Sequence, residues 1–488
     1  MAYKNTEKAK NEAVEWALTH GMALKQTDDS ARHPAFTLTP TVIESARFER
    51  LKSSVHLLGK LVHAVSQDHA FLVEAISPIT AGNVFFKALL RMAENIHSHA
   101  ENSRVENSGV NGQTCLPLLI MRSDFMDDAT LGPKLIEFNG IAAGMGPFGQ
   151  RIHELHRYLC TQWPSPYAEW SGSEVGEPIP NSALNGLAEG IAASTWKIKH
   201  EFSDAGAPTF LMVVQDREDN VYDQHLLEHA LQAKGIRTVR RTFRELYDGL
   251  STGDNRRLML EGIGSIDCVY LRAGYQFSDY VAHDIVDKAC CEALAQTRVM
   301  IEKHRVAVNA TVSQQLATSK RLQMLLSSAP AESLTRFGLT ESEAQEVKYL
   351  LGDMIAVDEQ SAEWIKQRPL DEWVLKNQGE GGGHCVFGEN IHTKLTALDP
   401  NEYEAWSLMR RLHPLPRSQA AYVVRKGEIY VIDDLISEIG LFTVHIDGEP
   451  ALDSGGYAGY LIRSKSSQVT EGGVHSGMGA LDSLAYKG

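Results

Sequence analysis

A lysine closes an apolar stretch and a run of glycines follows it in Trp373-Val-Leu-Lys376-Asn-Gln-Gly379-Glu380-Gly381-Gly382-Gly383. Glycines let backbone N–H groups approach a phosphate, Lys376 can neutralise it, and Glu380 can hold Mg²⁺. The alternative is a flexible surface turn, and the Walker spacing GxxxxGK[ST] is absent. In Leu135-Ile-Glu137-Phe-Asn139 an acid and an amide stand two apart. On a strand they point the same way and offer hard oxygens to Mg²⁺, or they are an ordinary polar strand end. Arg122-Ser-Asp124 follows the apolar run Leu116 to Met121. An arginine at a strand end can fork onto a carboxylate or phosphate, or form a surface ion pair with Asp124. Arg463-Ser-Lys465 precedes Glu471-Gly-Gly-Val474 and Gly477. Two alternating cations beside a second glycine-rich loop read as an anion site under a mobile flap, or as a polar C-terminal strand and loop.

The histidines offer less. His97-Ser-His99 and His153-Glu-Leu-His156 lack the i, i+4 spacing of a HExxH zinc helix, and both read as exposed helix histidines. Cys290-Cys291 sits in a helical run and reads as packing.

These residues need elements to hold them. Helical periodicity runs over 5–20 and 43–76, the latter through Ile43, Ala46, Leu51, Val55, Leu58, Val62 and Val65. Pro208 to Asp216 reads as a buried strand, Gln224 to Lys234 as a helix, and Ile236 to Phe243 as a second strand. That strand–helix–strand unit implies a parallel sheet. Ile266 to Leu271 is another apolar strand, and Asp279 to Leu326 is mostly helical. Glu428 to Leu435 and Leu441 to Ile446 read as neighbouring strands, while Ser98 to Gln113 and Pro164 to Asn181 read as loops. The class is α/β, or mixed α+β.

Composition narrows the function. The chain has 488 residues and a formal net charge of −15. So negative a surface repels nucleic acid in bulk, so any anion site is a local basic pocket. No apolar run reaches the ~18–20 residues of a membrane span. Six cysteines without a CxxC pair imply reduced thiols and a cytoplasmic location. The polar N-terminus carries no export signal, and a secreted location would follow only if a leader had been removed.

Taken in order, the motifs resemble the eukaryotic-type glutathione synthetase family over almost the whole chain. The resemblance is carried by Ala35-Phe-Thr-Leu, Arg122-Ser-Asp, Ile136-Glu-Phe-Asn139, Asn220-Val-Tyr-Asp-Gln224, Val239-Arg-Arg-Thr-Phe243, Val269-Tyr-Leu-Arg272-Ala-Gly-Tyr275, Gln315-Leu-Ala-Thr-Ser-Lys320, Val374-Leu-Lys376, Glu380-Gly-Gly-Gly383, Ile436-Ser-Glu438-Ile-Gly440, Arg463-Ser-Lys465 and Glu471-Gly-Gly-Val474. It implies an ATP-grasp fold with an inserted parallel-sheet substrate domain and a glycine-rich lid. The expected organisation is a main body from 1–204, 311–349 and 436–488, an insert at 205–310, a lid at 350–435 and a flap at 471–479. It further implies a homodimer, ATP with two Mg²⁺, and ligation of γ-glutamylcysteine to glycine through an acyl phosphate, with ADP and phosphate released.

Carried over by motif, Glu137, Asn139 and Glu380 would hold Mg²⁺. Lys320, Lys376, Gln378, Glu380, Gly381, Gly382, Gly383, Cys385, Phe387, Met409, Arg410, Arg411, Leu412, Glu438, Lys465 and Glu471 would surround ATP. Arg122, Ala142, Ala143, Gly144, Glu218, Asn220, Gln224, Arg272, Tyr275, Arg463, Val474 and His475 would meet the substrates, with Arg122, Arg463 and Lys376 serving the chemistry. The chain departs from the family's pattern at four places. Ala142 and Gly144 replace a pair of serines, His475 and Ser476 replace two alanines of the flap, Cys385 replaces an asparagine, and Ala273 replaces an acid. The ATP side is nearly intact and the substrate side is altered. Two functions are compatible with that: a ligase whose donor or acceptor has changed, and a nucleotide-binding protein with weak or no glutathione synthesis.

Overall fold

The computed structural model describes residues 2–106, 114–285, 292–379, 385–469, 472–474 and 477–488. Five strands carry most of the site: β1 (Leu116–Asp128), β2 (Gly132–Asn139), β3 (Trp373–Asn377), β4 (Leu435–Ile446) and β5 (Tyr457–Ser466). All but β3 belong to one 13-stranded sheet. β1 lies at its centre, antiparallel to β2 on a hairpin and to β4, and parallel to Ala307–Asn309.

The sheet's inner strands at Thr209–Val213, Cys268–Leu271 and Ala307–Asn309 are buried throughout, and Leu116 to Met121 of β1 is nearly so, which explains why they read as apolar runs. Alternate side chains of β1 enter two different cores. Leu119, Met121 and Phe125 join one, and Leu116, Leu118 and Ile120 join the other. Thr209–Val213 divides the same way, with Leu211 and Val213 on one side and Phe210 and Met212 on the other.

The strand–helix–strand unit is present. Thr209–Val213 and Arg237–Arg241 pair in parallel, with a helix at Val221–Gln232 between them in the chain. Cys268–Leu271 and Ala307–Asn309 also run parallel and connect this unit to β1. The insert thus continues the main sheet instead of forming a sheet of its own. Residues 354–410 form a separate four-stranded antiparallel sheet with its own core of Ile365, Leu375, Ile391, Leu395 and Leu408. The strands at Ala421–Arg425 and Glu428–Ile432, expected with the lid, pair instead into the main sheet beside Phe36–Thr37.

Other expectations need correction. Glu428–Ile432 and β4 are not neighbours. Four strands separate them, because the intervening chain crosses to the sheet's edge. Pro164 to Asn181 is not a loop. It holds a helix at Pro164–Ser171, started by a proline at its first turn, and a strand at Val175–Pro178 that pairs with the C-terminal strand. The helix at Val84–Glu106 runs into the expected loop at 98–113, whose remainder lies outside the described residues. The periodic stretch 43–76 is two helices, broken where the Asp68 side chain accepts the Phe71 N–H and caps the second. Cys290 and Cys291 lie outside the described residues. No helix among the described residues is long and apolar enough to cross a membrane.

His153 and His156 are buried, not exposed. Neutral His156 donates from Nε2 to the Thr37 carbonyl at 2.8 Å and accepts at Nδ1 from Ser483 at 2.7 Å. His445 is buried with neither ring nitrogen hydrogen-bonded. Burial brings all three down to about 4, with Arg157 adding to the effect at His153, and His56 and His63 at His445. A depressed imidazole leaves the folded protein fully stabilised above the ordinary value of ~6.5, and that stability is lost as pH falls from there towards 4. Each histidine is expected to cost ~2 kcal/mol between pH 6.5 and 5. Denaturant midpoints measured at pH 7.5 and pH 5 check this; equal midpoints would refute it.

Candidate active site

Register brings the charged residues of the long strands onto one surface. Arg122 faces Asn139 across β1 and β2, Asp124 faces Glu137, and Glu438 of β4 faces Arg463 of β5. Arg122 is not at a strand end as its sequence suggests, but inside a 13-residue strand. Its pair with Asp124 is real but buried, with Nε to Oδ1 at 2.6 Å and Nη2 to Oδ2 at 2.8 Å. Gly440 on β4 makes room for the pair. A Cβ there would stand 2.7 Å from Asp124 Oδ1 and 2.8 Å from Arg122 Cδ.

Asp124 is the residue that sequence reasoning missed. Its Oδ2 also accepts from Asn139 Nδ2 at 2.9 Å and from Arg463 Nη2 at 3.0 Å. One carboxylate with no solvent exposure therefore orients two arginines and the proposed metal-binding amide. Because Asn139 uses its NH₂ group on Asp124 and Glu137, its carbonyl oxygen is the end left to face a cation. The available signal was the i, i+2 spacing from Arg122, which puts both side chains on one face of a strand.

A cavity of about 1250 Å³ opens over this surface. Lys376 reaches from β3 to the Ile136 carbonyl at 2.9 Å. Lys320, at the start of the helix Lys320–Ser328, donates to the Gly379 carbonyl at 2.9 Å and lies 4.0 Å from Glu137. Buried Gln378 accepts the Arg321 N–H at 2.8 Å, so the entrance to the glycine-rich loop is tied to that helix's first turn. Burial alone would raise the Glu137 carboxyl, but Lys320, Lys376, Arg463 and Arg122 bring it down to about 2. The Glu438 carboxyl moves the other way. Burial, with Asp124 and Glu137 nearby, raises it against the pull of Arg463. The Arg463 guanidinium is held charged despite burial by Glu438, Asp124 and Glu137.

Most of the residues assigned to ATP line the cavity. Lys320, Lys376, Gln378, Cys385, Phe387, Met409, Arg410, Arg411, Leu412, Glu438 and Lys465 all line it. So do most of those assigned to substrate: Arg122, Ala142, Gly144, Glu218, Asn220, Arg272, Tyr275, Arg463 and Val474. Two do not line it. Ala143 is buried, its carbonyl accepting from the Tyr270 hydroxyl at 3.4 Å. Gln224 sits behind Glu218, donating to its Oε2 at 2.9 Å and accepting from Arg240. Glu380, Gly381, Gly382, Gly383, Glu471, His475 and Ser476 lie outside the described residues.

Two polar atoms on the substrate side are buried and unpartnered, Asn220 Oδ1 and Arg272 Nε. One accepts and the other donates, which suits the ammonium and carboxylate of an amino-acid head group. The loop that carries Ala142 and Gly144 is fixed by Asp223, whose carboxylate accepts the Met145 N–H at 2.9 Å at the start of the helix Gly146–Gln162. Among the described residues no group of three or more His, Cys, Asp or Glu could hold a metal ion. Glu137 and Asn139 nonetheless fit Mg²⁺, which takes one or two protein oxygens and completes its shell with phosphate and water.

A model of the family described as "Eukaryotic glutathione synthase, ATP binding domain" matches residues 3–486. The chain is 28% identical to the glutathione synthetase of Homo sapiens over 492 residues, covering 98% of this chain and 96% of that one. It is 28% identical to the chloroplastic glutathione synthetase of Solanum lycopersicum over 499 residues, covering 99% and 84%. Among solved structures, a glutathione synthetase-like effector from Globodera pallida superposes with a TM-score of 0.70 at 17% identity, covering 98% of this chain and 96% of that one. At that identity the likeness is one of fold.

Proposed function

From the premise that this chain belongs to the eukaryotic glutathione synthase family, we propose that it is an ATP-dependent carboxylate–amine ligase that joins a γ-glutamyl dipeptide to glycine or another small amine. The observation that carries this reading is the mixed lining of one cavity. Lysines (Lys320, Lys376, Lys465), hard oxygens (Glu137, Asn139), groups suited to an amino acid (Asn220, Arg272) and the arginines Arg122 and Arg463 all line it.

A carboxylate is a poor electrophile, so its oxygen attacks the γ-phosphorus of ATP and ADP leaves. The amine then adds to the acyl phosphate and expels inorganic phosphate, losing its proton. Lys320, Lys376 and Lys465 meet the charge on the transferring phosphoryl group. Mg²⁺, when held by Glu137 and Asn139, screens the same charge. Arg122 and Arg463, locked by Asp124, are preorganised for the oxyanion that develops as the amine adds. Arg272 and Asn220 hold the donor's head group so that its reacting carboxylate stays near the phosphate.

Residues 475 and 476 of the flap, a histidine and a serine, are proposed to take part in choosing the acceptor. The family supports a homodimer, which sedimentation tests, and the cysteine usage supports a cytoplasmic location. The functional test is ATP-dependent phosphate release with γ-glutamylcysteine and a panel of amine acceptors. Release that needs both donor and acceptor is expected. ATP binding without release for any pair would point to the nucleotide-binding alternative.

A further inference from the structure

We propose that Gly144 fixes where the Arg272 guanidinium stands and thereby sets the length of donor the site accepts; this rests on the ligase reading above. Gly144 lines the cavity in the segment joining β2 to the helix Gly146–Gln162. A Cβ built on it would lie 2.5 Å from both Nη1 and Nη2 of Arg272 and 2.9 Å from its Cζ. The guanidinium therefore fills the volume that any side chain at this position would need.

The backbone is not free to retreat. Arg122 Nη1 holds the Gly144 carbonyl at 3.1 Å, and Asp223 holds the next N–H at 2.9 Å. Arg272 is the partner able to move, because the close atoms are the far end of a long side chain. In its present recess it is 7% exposed, with Nε unpartnered and Asp223, Glu218 and Tyr270 around it.

A donor must span from Arg272, at its head group, to the neighbourhood of Arg122, where its carboxylate reacts. A side chain at 144 would displace the guanidinium by about one carbon–carbon bond, ~1.5 Å; since Arg272 lines the cavity, we infer that it moves into that space and shortens the span. With glycine the recess is kept and the span is long. The site is thus built for a donor head one methylene longer than the γ-glutamyl group, an α-aminoadipyl head, at least as well as for γ-glutamyl itself. One methylene in a fitted pocket is typically worth about 10–200-fold in kcat/KM.

The test compares wild type with G144S on γ-glutamylcysteine and on its homologue δ-(α-aminoadipyl)cysteine, by ATP-dependent phosphate release. The homologue-to-γ-glutamyl ratio of kcat/KM should fall on the order of tenfold or more in G144S, through the donor KM, with the KM for ATP unchanged. An unchanged ratio overturns the proposal. Should neither donor support release, the ligase reading fails separately. The same ratio is then read from donor dissociation constants by calorimetry, where again no change overturns it. If G144S does not fold, G144A places the same Cβ and is read in its stead.

Discussion

Glu137→Gln is expected to lower ATP-dependent phosphate release by on the order of 10³-fold while the protein still folds. The carboxylate is central to a group of four cations, Lys320, Lys376, Arg463 and Arg122, which bring it down to about 2 against its burial. Charge stabilisation of a transferring phosphoryl group by a bound cation is worth several kcal/mol, and ~4 kcal/mol is about a thousandfold. Glutamine keeps the shape and loses the charge proposed to hold that cation. The cost to folding is separate. A carboxyl depressed in the folded state adds stability that is complete above ~4.5 and lost as pH falls towards 2, here ~3 kcal/mol at most. A circular dichroism melt alongside the phosphate assay divides the two effects. Wild-type release by a folded Glu137→Gln protein would remove Glu137 from the phosphate site.

Asp124→Asn is expected to damage stability and turnover together. Replacing the buried carboxylate leaves the Arg122 and Arg463 guanidiniums without their shared counter-charge. Breaking a buried pair from one side costs about 3–5 kcal/mol. The Asn139 amide loses the nearer of its two carboxylate acceptors in the same step and keeps only Glu137. Arg122→Ala should behave differently. It leaves Asp124 bonded to Arg463 and Asn139, so it melts closer to wild type while kcat falls by about 10²–10³. The discriminating measurement is the pair of melting temperatures set beside the pair of kcat values. Asp124→Asn melting and turning over as wild type does would show that the carboxylate organises nothing.

The contrast between Lys376 and Asp124 shows what a sequence carries. Lys376 and its glycines are adjacent in the chain, so their joint chemistry is readable from spacing alone. Glu137 and Asn139 are readable for the same reason, through strand alternation. Asp124 gains its meaning from Asn139, Gly440 and Arg463, which meet it only once the register of four strands is fixed. His156 reads as a surface residue because the groups that hold its ring, Thr37 and Ser483, come from opposite ends of the chain. The parallel unit at 209–241 was legible because a local pattern of strand, helix and strand has few solutions. Which sheet it joins was not, since that depends on pairing between Ala307–Asn309 and β1.

The position of β1 has a consequence for how the chain reaches this state at all. Its neighbours are residues 132–139, 307–309 and 435–446. During synthesis β1 can pair with β2 at once, but its other long edge waits until β4 has emerged, more than three hundred residues later. At ~5–20 residues per second that is a delay of tens of seconds. Throughout it an apolar strand, Leu116 to Met121, presents unpaired backbone to the cell. The surface proposed for catalysis and the aggregation hazard of the nascent chain are therefore the same strand, and yield of active protein should depend on a chaperone that shields it until residues 435–446 have emerged.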